Sequence, residues 1–313
     1  MDLRSLGYVV AIVDEGGFGR AAATLGVTQP SLSHAVKALE NELGTQLFHR
    51  LGRSVTLTSA GEALLGPARQ ALRDAEVARA AVAAVVGLSS GRLDLVCLPT
   101  LAVDPVADLV GRFRAQHPGV RVQIEEPEDA DAVAALVRTG ASELGFAELP
   151  LRVPDLEAIE LAAHEFVAVL PRSYTGGVEA RLTIAELADM PLVTTPVGTS
   201  TRRQIDEAFT AAGLTPTVAV ETDHREAIVA MVLAGAGVAI LPEPVATASR
   251  AAGAVVRPIS PTITRRVGLI RRPGPLSPAA QAFTALAVPG APSSPARPRA
   301  RRRRSIATTK ATR

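Results

Sequence analysis

The sequence predicts an α/β chain in three parts: a small helical head ending in a hairpin, one long helix, and a large portion built on two open sheets. Three observations carry this. Over residues 1–58, apolar residues recur at three and four spacings in short stretches interrupted by glycines. Over 59–88 one helical period continues unbroken by glycine pairs, and over 91–290 short apolar runs alternate with helical ones, as in strands joined by crossover helices.

Composition sets the outer bounds. The chain has 313 residues, 33 Lys plus Arg against 31 Asp plus Glu, and 47% hydrophobic residues, which fits about two domains. The net charge of +2 conceals an uneven placement, because residues 291–313 hold eight basic residues and no acid. Residues 1–290 are therefore mildly acidic. A single Cys97 excludes a disulfide framework and any cysteine-based zinc site, and predicts a reducing cytoplasm. The apolar run Tyr8–Val13 is too brief and too closely flanked by Asp2, Arg4, Asp14 and Glu15 for a secretion signal. The longest apolar stretch, 227–242, has 16 residues with Gly235, Gly237 and Pro242 inside it, short of the roughly 20 that a membrane helix needs. No membrane partner is expected.

In the head, Leu3, Leu6, Val9, Val10 and Val13 mark a first amphipathic helix that Gly16 and Gly17 end. Ala21, Ala22 and Leu25 give a second, with Gly26 at the position where a left-handed residue closes a helix. Thr28 caps a third, with Pro30 tolerated in its first turn. Along this helix Leu32, Val36, Leu39 and Leu43 form the predicted buried stripe, while Gln29, Ser33, His34 and Lys37 gather on another face. Short helix, glycine turn and a helix with a polar outer face make a helix-turn-helix, whose second helix lies in the major groove of double-stranded DNA. The segment 45–58 reads as a hairpin around Leu51-Gly52 with Arg50 and Arg53 at its tip: a wing able to reach phosphates or the minor groove. Residues 1–60 carry five basic and five acidic residues, so placement rather than count favours DNA.

The run FGRAAATLGVTQPSLSHAVKALENELGTQLFHRLGRSVTLTSAGEALL closely resembles the N-terminal winged helix-turn-helix of LysR-type transcriptional regulators. Its AA-x-x-L helix, the TQP-S-x-S opening of the recognition helix, LE-x-x-LG-x-x-LF-x-R and T-x-AG all match. The resemblance implies that Gln29, Pro30, Ser33 and His34 approach base edges and phosphates and that Arg53 contacts the backbone or minor groove; Ser31, Lys37 and Arg50, by their placement, complete the expected DNA-binding set. Two positions depart: Gly19 stands where the family often has Ser, and His34 where it frequently has Arg. His34 is mostly uncharged at neutral pH and a weaker phosphate partner.

From Ser59, read as pairing with Glu62 in a capping box, a helix is predicted to about Gly87 with a modest bend at Pro67. Leu65, Ala68, Leu72, Ala75, Val82 and Val86 follow alternating spacing and form the expected dimer seam. The α/β portion resembles the effector-binding domain of the same regulators, itself similar to periplasmic solute-binding proteins: two Rossmann-like subdomains joined by crossing strands. In open α/β sheets ligands bind beyond the carboxyl ends of strands. That rule and the resemblance nominate Thr100 and Leu101 after the first strand, Glu128 and Asp129 after the second, and Thr199, Ser200 and Thr201 before a helix of the other subdomain. Hydroxyls and helix-start amides there suit a carboxylate or another polar anion. Each Ser or Thr also reads singly as a helix cap, and the acids Glu125, Glu126, Glu128 and Asp129 oppose an anion if they face the cleft.

Nothing in the pattern supports catalysis. Cys97 lies in an apolar strand without a second cysteine, and the five histidines show no metal-ligand spacing, so no enzyme activity, metal or cofactor is expected. The expectation is a cytoplasmic, homo-oligomeric regulator, dimer or tetramer, on a pseudo-palindromic operator, with a small-molecule effector and RNA polymerase as a candidate further partner. Its rivals are a solute-binding protein or an enzyme on the same fold, and a nonspecific nucleic-acid coating protein resting on the basic tail. Residues 273–298 contain seven prolines, and together with the basic tail at 291–313 they are expected to be disordered.

Overall fold

The computed structural model describes residues 1–51, 54–86, 91–151, 153, 155–175 and 181–288. In the head, α1 spans Leu3–Asp14, α2 Phe18–Leu25 and α3 Gln29–Leu43. Asp2 caps α1 by accepting from the Ser5 N–H at 2.7 Å. Gly26 and Gly44 end α2 and α3 at φ +66° and +71°, the left-handed region that glycine enters without strain. Thr28 caps α3 as expected, its Oγ1 accepting from Ser31 N–H at 3.4 Å and lying in hydrogen-bond contact with Ser31 Oγ at 2.8 Å. The three helices bury Val9, Ile12, Ala21, Leu32, Val36 and Leu39 in one core, with Phe18 edge-on to Phe48 at 5.6 Å. Leu43 does not belong to it: it is 39% exposed, because it sits in the last turn of α3 just before Gly44 turns the chain away.

The hairpin forms as predicted, β1 (Phe48–Leu51) pairing antiparallel with β2 (Ser54–Leu57) in the register Phe48↔Leu57 and Leu51↔Ser54. The long helix α4 runs Ser59–Val86 and continues through Pro67. Its start corrects one expectation. Thr58, not a Ser59–Glu62 box, caps it: Thr58 Oγ1 accepts from Gly61 N–H at 3.1 Å and donates to the Gln46 carbonyl at 2.7 Å, fastening helix and wing together. Helix α4 packs on α1, and Arg69 pairs with Asp14.

The α/β portion contains, in order, β3 (Gly91–Cys97), α5 (Pro99–Leu101), a π-helical turn (Ala102–Val106), α6 (Ala107–Gln116), β4 (Val120–Glu125), α7 (Ala130–Thr139), β5 (Leu144–Leu149) and β6 (Glu157–Leu170). There follow β7 (Leu182–Thr183), α8 (Ile184–Ala188), β8 (Leu192–Thr194), α9 (Ser200–Ala211), β9 (Val218–Glu221) and α10 (Arg225–Leu233). The last elements are β10 (Ala239–Pro242), α11 (Glu243–Ala251), β11 (Val255–Ser260), β12 (Thr264–Arg271) and α12 (Pro278–Ala287).

Two subdomains result. The first has strand order β4-β3-β5-β12-β6 and a core around Leu93, Leu95, Phe113, Phe146 and Phe283. In the second, the carboxyl half of β6 lies between β10 and β11, β7 edges β11, and β8 pairs with β9 and bridges Val238 through Leu192. Strands β6 and β12 pass between the two, with Arg265 opposite His164 and the Phe166 N–H donating to the Ile263 carbonyl at 2.8 Å. These returning strands are antiparallel to their neighbours, so the sheets are mixed rather than largely parallel.

The proline-rich stretch also differs from expectation. Residues Pro278–Ala287 form a helix with Ser277 as cap and Ala280 and Phe283 buried, because Pro278 occupies the first turn, where it removes no intrahelical bond. The basic tail 291–313 lies outside the described residues. Among those described, no helix is long and apolar enough to cross a membrane.

Candidate functional site

The outer face of α3 is where polar side chains meet solvent without an apolar cover. Gln29, Pro30, Ser31, His34 and Lys37 are exposed and Ser33 is half-buried, while Leu32, Val36 and Leu39 anchor the opposite face. The helix is thus held rigidly by its apolar stripe and offers its first two turns outward. Nearby charges that opposed DNA in the sequence are engaged elsewhere: Glu40 Oε1 accepts from the Leu47 N–H at 2.8 Å, tying the wing to α3. Arg20 donates to the Glu15 carbonyl and to the Gly16 carbonyl at 3.1 Å, closing the end of α1. Arg50 lies on β1, and Arg53 falls outside the described residues.

Of the expected dimer seam, Leu65, Leu72 and Ala75 are half-buried on α4. Ala68 is a correction. It is 1% exposed, covered within the chain, and so offers no surface to a second copy. Leu72 faces α1, since a methyl group added at Gly7 would meet its Cδ2 at 3.8 Å. Val82 and Val86 belong to the same helix, but their side chains lie outside the described residues.

The two subdomains meet along the carboxyl ends of their strands. The Ser200 N–H at the start of α9 donates to the Glu128 carbonyl at 3.0 Å, and the Arg225 guanidinium grips the Glu128 carboxylate through both oxygens. Farther in, Glu148 at the end of β5 accepts from Gln204 of α9 and lies 3.7 Å from Arg203. Glu148 and Arg203 border a cavity of about 250 Å³ whose lining also includes Ala130, Asp131, Ala134 and Glu207.

Beneath the cleft, where β6 and β12 cross, sits a buried polar cluster. Arg265 is 2% exposed; its Nη2 lies 3.5 Å from His164 Nδ1, and its guanidinium stands 5.6 Å from the centre of the Phe166 ring. His164 Nε2 lies 2.8 Å from Asp104 Oδ2. Burial first, and the Arg265 charge second, lower the His164 pKa, so the imidazole stays neutral with Nδ1 free to accept. Burial lowers the Arg265 pKa to about 10, against the opposing pull of Glu148, and the group remains charged at neutral pH. Burial likewise raises the Glu148 pKa.

Several nominated residues take other roles. Thr199 caps α9 through its Oγ1, 3.3 Å from Arg202 N–H, and is bonded to Thr195 Oγ1 at 2.7 Å. Asp129 caps α7, accepting from the Ala132 N–H at 2.8 Å. Leu101 is wholly enclosed in the first-subdomain core. Thr100, Ser200 and Thr201 are buried at the subdomain boundary, and Glu128 is the inter-subdomain latch. The strand-end rule that nominates them also covers Glu148, Thr194 and Arg225, which sequence reasoning missed; Arg265 and His164, mid-strand in charged surroundings, carry no sequence signal.

Helix α7 joins this cleft to α4. Its amino end follows Glu128, and its carboxyl end meets two arginines: Arg73 of α4 donates to the Gly140 carbonyl, and Arg272 donates to the Val137 carbonyl at 2.9 Å. Cations suit a helix carboxyl terminus. Desolvation lowers both pKa values, Arg73 to about 10 with the Arg272 charge as a second cause, while Glu143 counters the effect. Cys97 has no part in either region: it is fully buried, and desolvation pushes its thiol up to about 12, which suppresses the reactive thiolate. Among the described residues no group of three His, Cys, Asp or Glu could hold a metal.

Residues 3–62 match the model for the bacterial regulatory helix-turn-helix protein, lysR family, and residues 86–291 match that for the LysR substrate binding domain. The uncharacterized HTH-type transcriptional regulator YnfL of Escherichia coli K12 is 32% identical over 245 residues, covering 77% of this chain and 82% of its own. A full-length OxyR from Pseudomonas aeruginosa, solved as a point variant, superposes with a TM-score of 0.75 at 29% identity, covering 92% of this chain and 93% of that one. Full-length CbnR complexed with its target DNA gives 0.62 at 26% identity, over 92% and 99%.

Proposed function

The chain belongs to the LysR family of DNA-binding, effector-controlled transcriptional regulators, which are not enzymes, and from that premise we propose how its own residues divide the work. Two copies place α3 in successive major grooves of a pseudo-palindromic operator, with Gln29, Ser33 and His34 toward base edges and Lys37, Arg50 and Arg53 toward phosphates. The observation that carries this reading is the outward polar face of α3 on a helix whose other face is locked in the core. Pro30 and Ser31 set the helix start against the DNA backbone. The copies associate through α4, using Leu65, Ala75, Val82 and Val86, with Leu72 shared between that seam and α1. The protein works in the cytoplasm.

The effector occupies the space between the subdomains, against Thr100, Ser200 and Thr201. Its binding shifts the Glu128–Ser200–Arg225 latch, and α7 carries that displacement to the Arg73 end of α4. A rigid helix with one end in the cleft and the other on the linker supports this route. Recruitment of RNA polymerase completes the scheme when the regulator activates.

Selection of genomic fragments bound by the purified full-length chain tests the reading. Recovered fragments share an inverted repeat whose half-sites lie about one helical turn, or a multiple of it, apart. Fragments without any common sequence contradict it.

A further inference from the structure

Arg265 is a buried arginine most of whose donors are unused. It is 2% exposed, yet its Nε and Nη1 have no hydrogen-bond partner among the described residues, and its Nη2 has only the long 3.5 Å approach to His164. A guanidinium carries five donors in a planar fork, and leaving most of them dry and unpaired is unfavourable. Arg73 and Arg272 also leave Nε without a partner among the described residues, but both end on helix carbonyls, whereas Arg265 leaves Nη1 unpaired as well.

The surroundings of Arg265 are arranged for an incoming acceptor. Phe166 covers one face of the guanidinium, and neutral His164, held by Asp104, supports its edge without neutralising it. Glu148, the acid whose charge it faces, is already engaged by Gln204 and lies near Arg203, and Glu148 also lines the inter-subdomain cavity. Thr194 Oγ1 and Arg225 Nε, on the second subdomain, are likewise buried without partners among the described residues. The acids that oppose an anion in the sequence are accounted for: Arg225 neutralises Glu128 and Asp129 is held as a cap, while Glu125 and Glu126 are exposed. At the start of α9 the Ser200 and Arg202 amides are already taken, by the Glu128 carbonyl and by Thr199 Oγ1.

We propose that Arg265 is the anion anchor of the effector site and that the effector is a small organic carboxylate, bound fork to fork by the guanidinium beneath the subdomain cleft. This rests on the cleft being the effector site. Glu148, whose charge Arg265 faces, lines the inter-subdomain cavity of about 250 Å³, and Arg265 itself does not.

The test is thermal melting of the full-length chain with acetate, propionate and succinate against matched sodium chloride, and with acetamide and propionamide as neutral analogues. At least one carboxylate raises Tm in a dose-dependent way and its amide does not. Arg265→Met abolishes the rise, and Arg265→Lys, which keeps charge but loses the fork, weakens binding about tenfold. In carboxylate-free buffer Arg265→Met melts at or above the wild type, since an unpaired buried charge has been removed; a variant melting well below it marks a structural arginine and overturns the proposal. So does a panel without any carboxylate shift, or a shift that survives in Arg265→Met. A carboxylate shift lost in Thr100→Val but kept in Arg265→Met, or an amide that stabilises the wild type as well as its acid does, preserves the cleft and removes only the anchor. A shift that survives both substitutions removes the cleft as well.

Discussion

The N–H of Ser200 donates to the backbone carbonyl of Glu128 at 3.0 Å, joining the start of α9 in one subdomain to the residue before the α7 cap in the other. Because this is a main-chain bond, side-chain variation on either residue leaves it intact. The adjoining Glu128–Arg225 pair is half exposed, and such pairs contribute about 0–1 kcal/mol. Arg225→Ala therefore lowers Tm by no more than about 3 °C. It nevertheless speeds hydrogen exchange at the Ser200 amide, because the latch loses its lateral support. Unchanged exchange at that amide contradicts the latch.

At the other end of α7, Arg73→Met removes a charged donor from the Gly140 carbonyl, an interaction of about 2 kcal/mol. The expected result is a regulator that binds its operator normally without effector and no longer changes that binding when effector is added. Titration by fluorescence anisotropy with and without effector measures both. A full effector response in Arg73→Met removes α7 as the route. Gly140→Ala produces the same uncoupling for another reason: its φ of +73° suits glycine, and a Cβ there strikes the guanidinium groups of both Arg73 and Arg272.

Two buried groups give opposite pH slopes. The folded-state pKa of His164 is lowered by burial and by Arg265, so between that value and about 6.5 the unfolded chain binds more protons, and stability falls as pH drops through this window. The Glu148 pKa is raised by burial, so the folded chain there holds the extra proton, and its contribution is lost as pH rises from the ordinary carboxylate range through the raised value. Urea unfolding at about pH 7.5 and about pH 5.5 separates them, the loss on acidification being smaller in His164→Gln than in the wild type. Equal losses contradict the His164 assignment.

Lys37→Ala weakens binding about equally across DNA sequences and lowers the magnitude of the salt slope by about 1, the signature of one lost phosphate contact. Binding measured between about 50 and 200 mM salt gives that slope. An unchanged slope moves Lys37 off the backbone.

The head is legible in the sequence because its chemistry is local. Thr28 with Pro30, Gly26 and Gly44 each act on the neighbouring turn, and the Leu32–Val36–Leu39 stripe needs only a partner face. Leu43 departs from that stripe since helical period alone does not show where a core ends. The cleft is half legible: strand ends place Thr100, Glu128 and Ser200 at the boundary, but a sequence does not tell a cap from a contact, and Thr199 and Asp129 are caps. Arg265 is illegible because nothing in RRVGLIRR distinguishes one arginine from another, and it is the crossing of β12 over β6 that buries Arg265.

DNase footprinting on a selected operator fragment tests most directly that α3 reads DNA. The wild type protects both half-sites, and Ser33→Ala combined with Lys37→Ala loses that protection while remaining folded, since Lys37 is exposed and Ser33 is half-buried outside the Leu32–Val36–Leu39 stripe. Equal protection by the double variant contradicts α3 as the recognition helix.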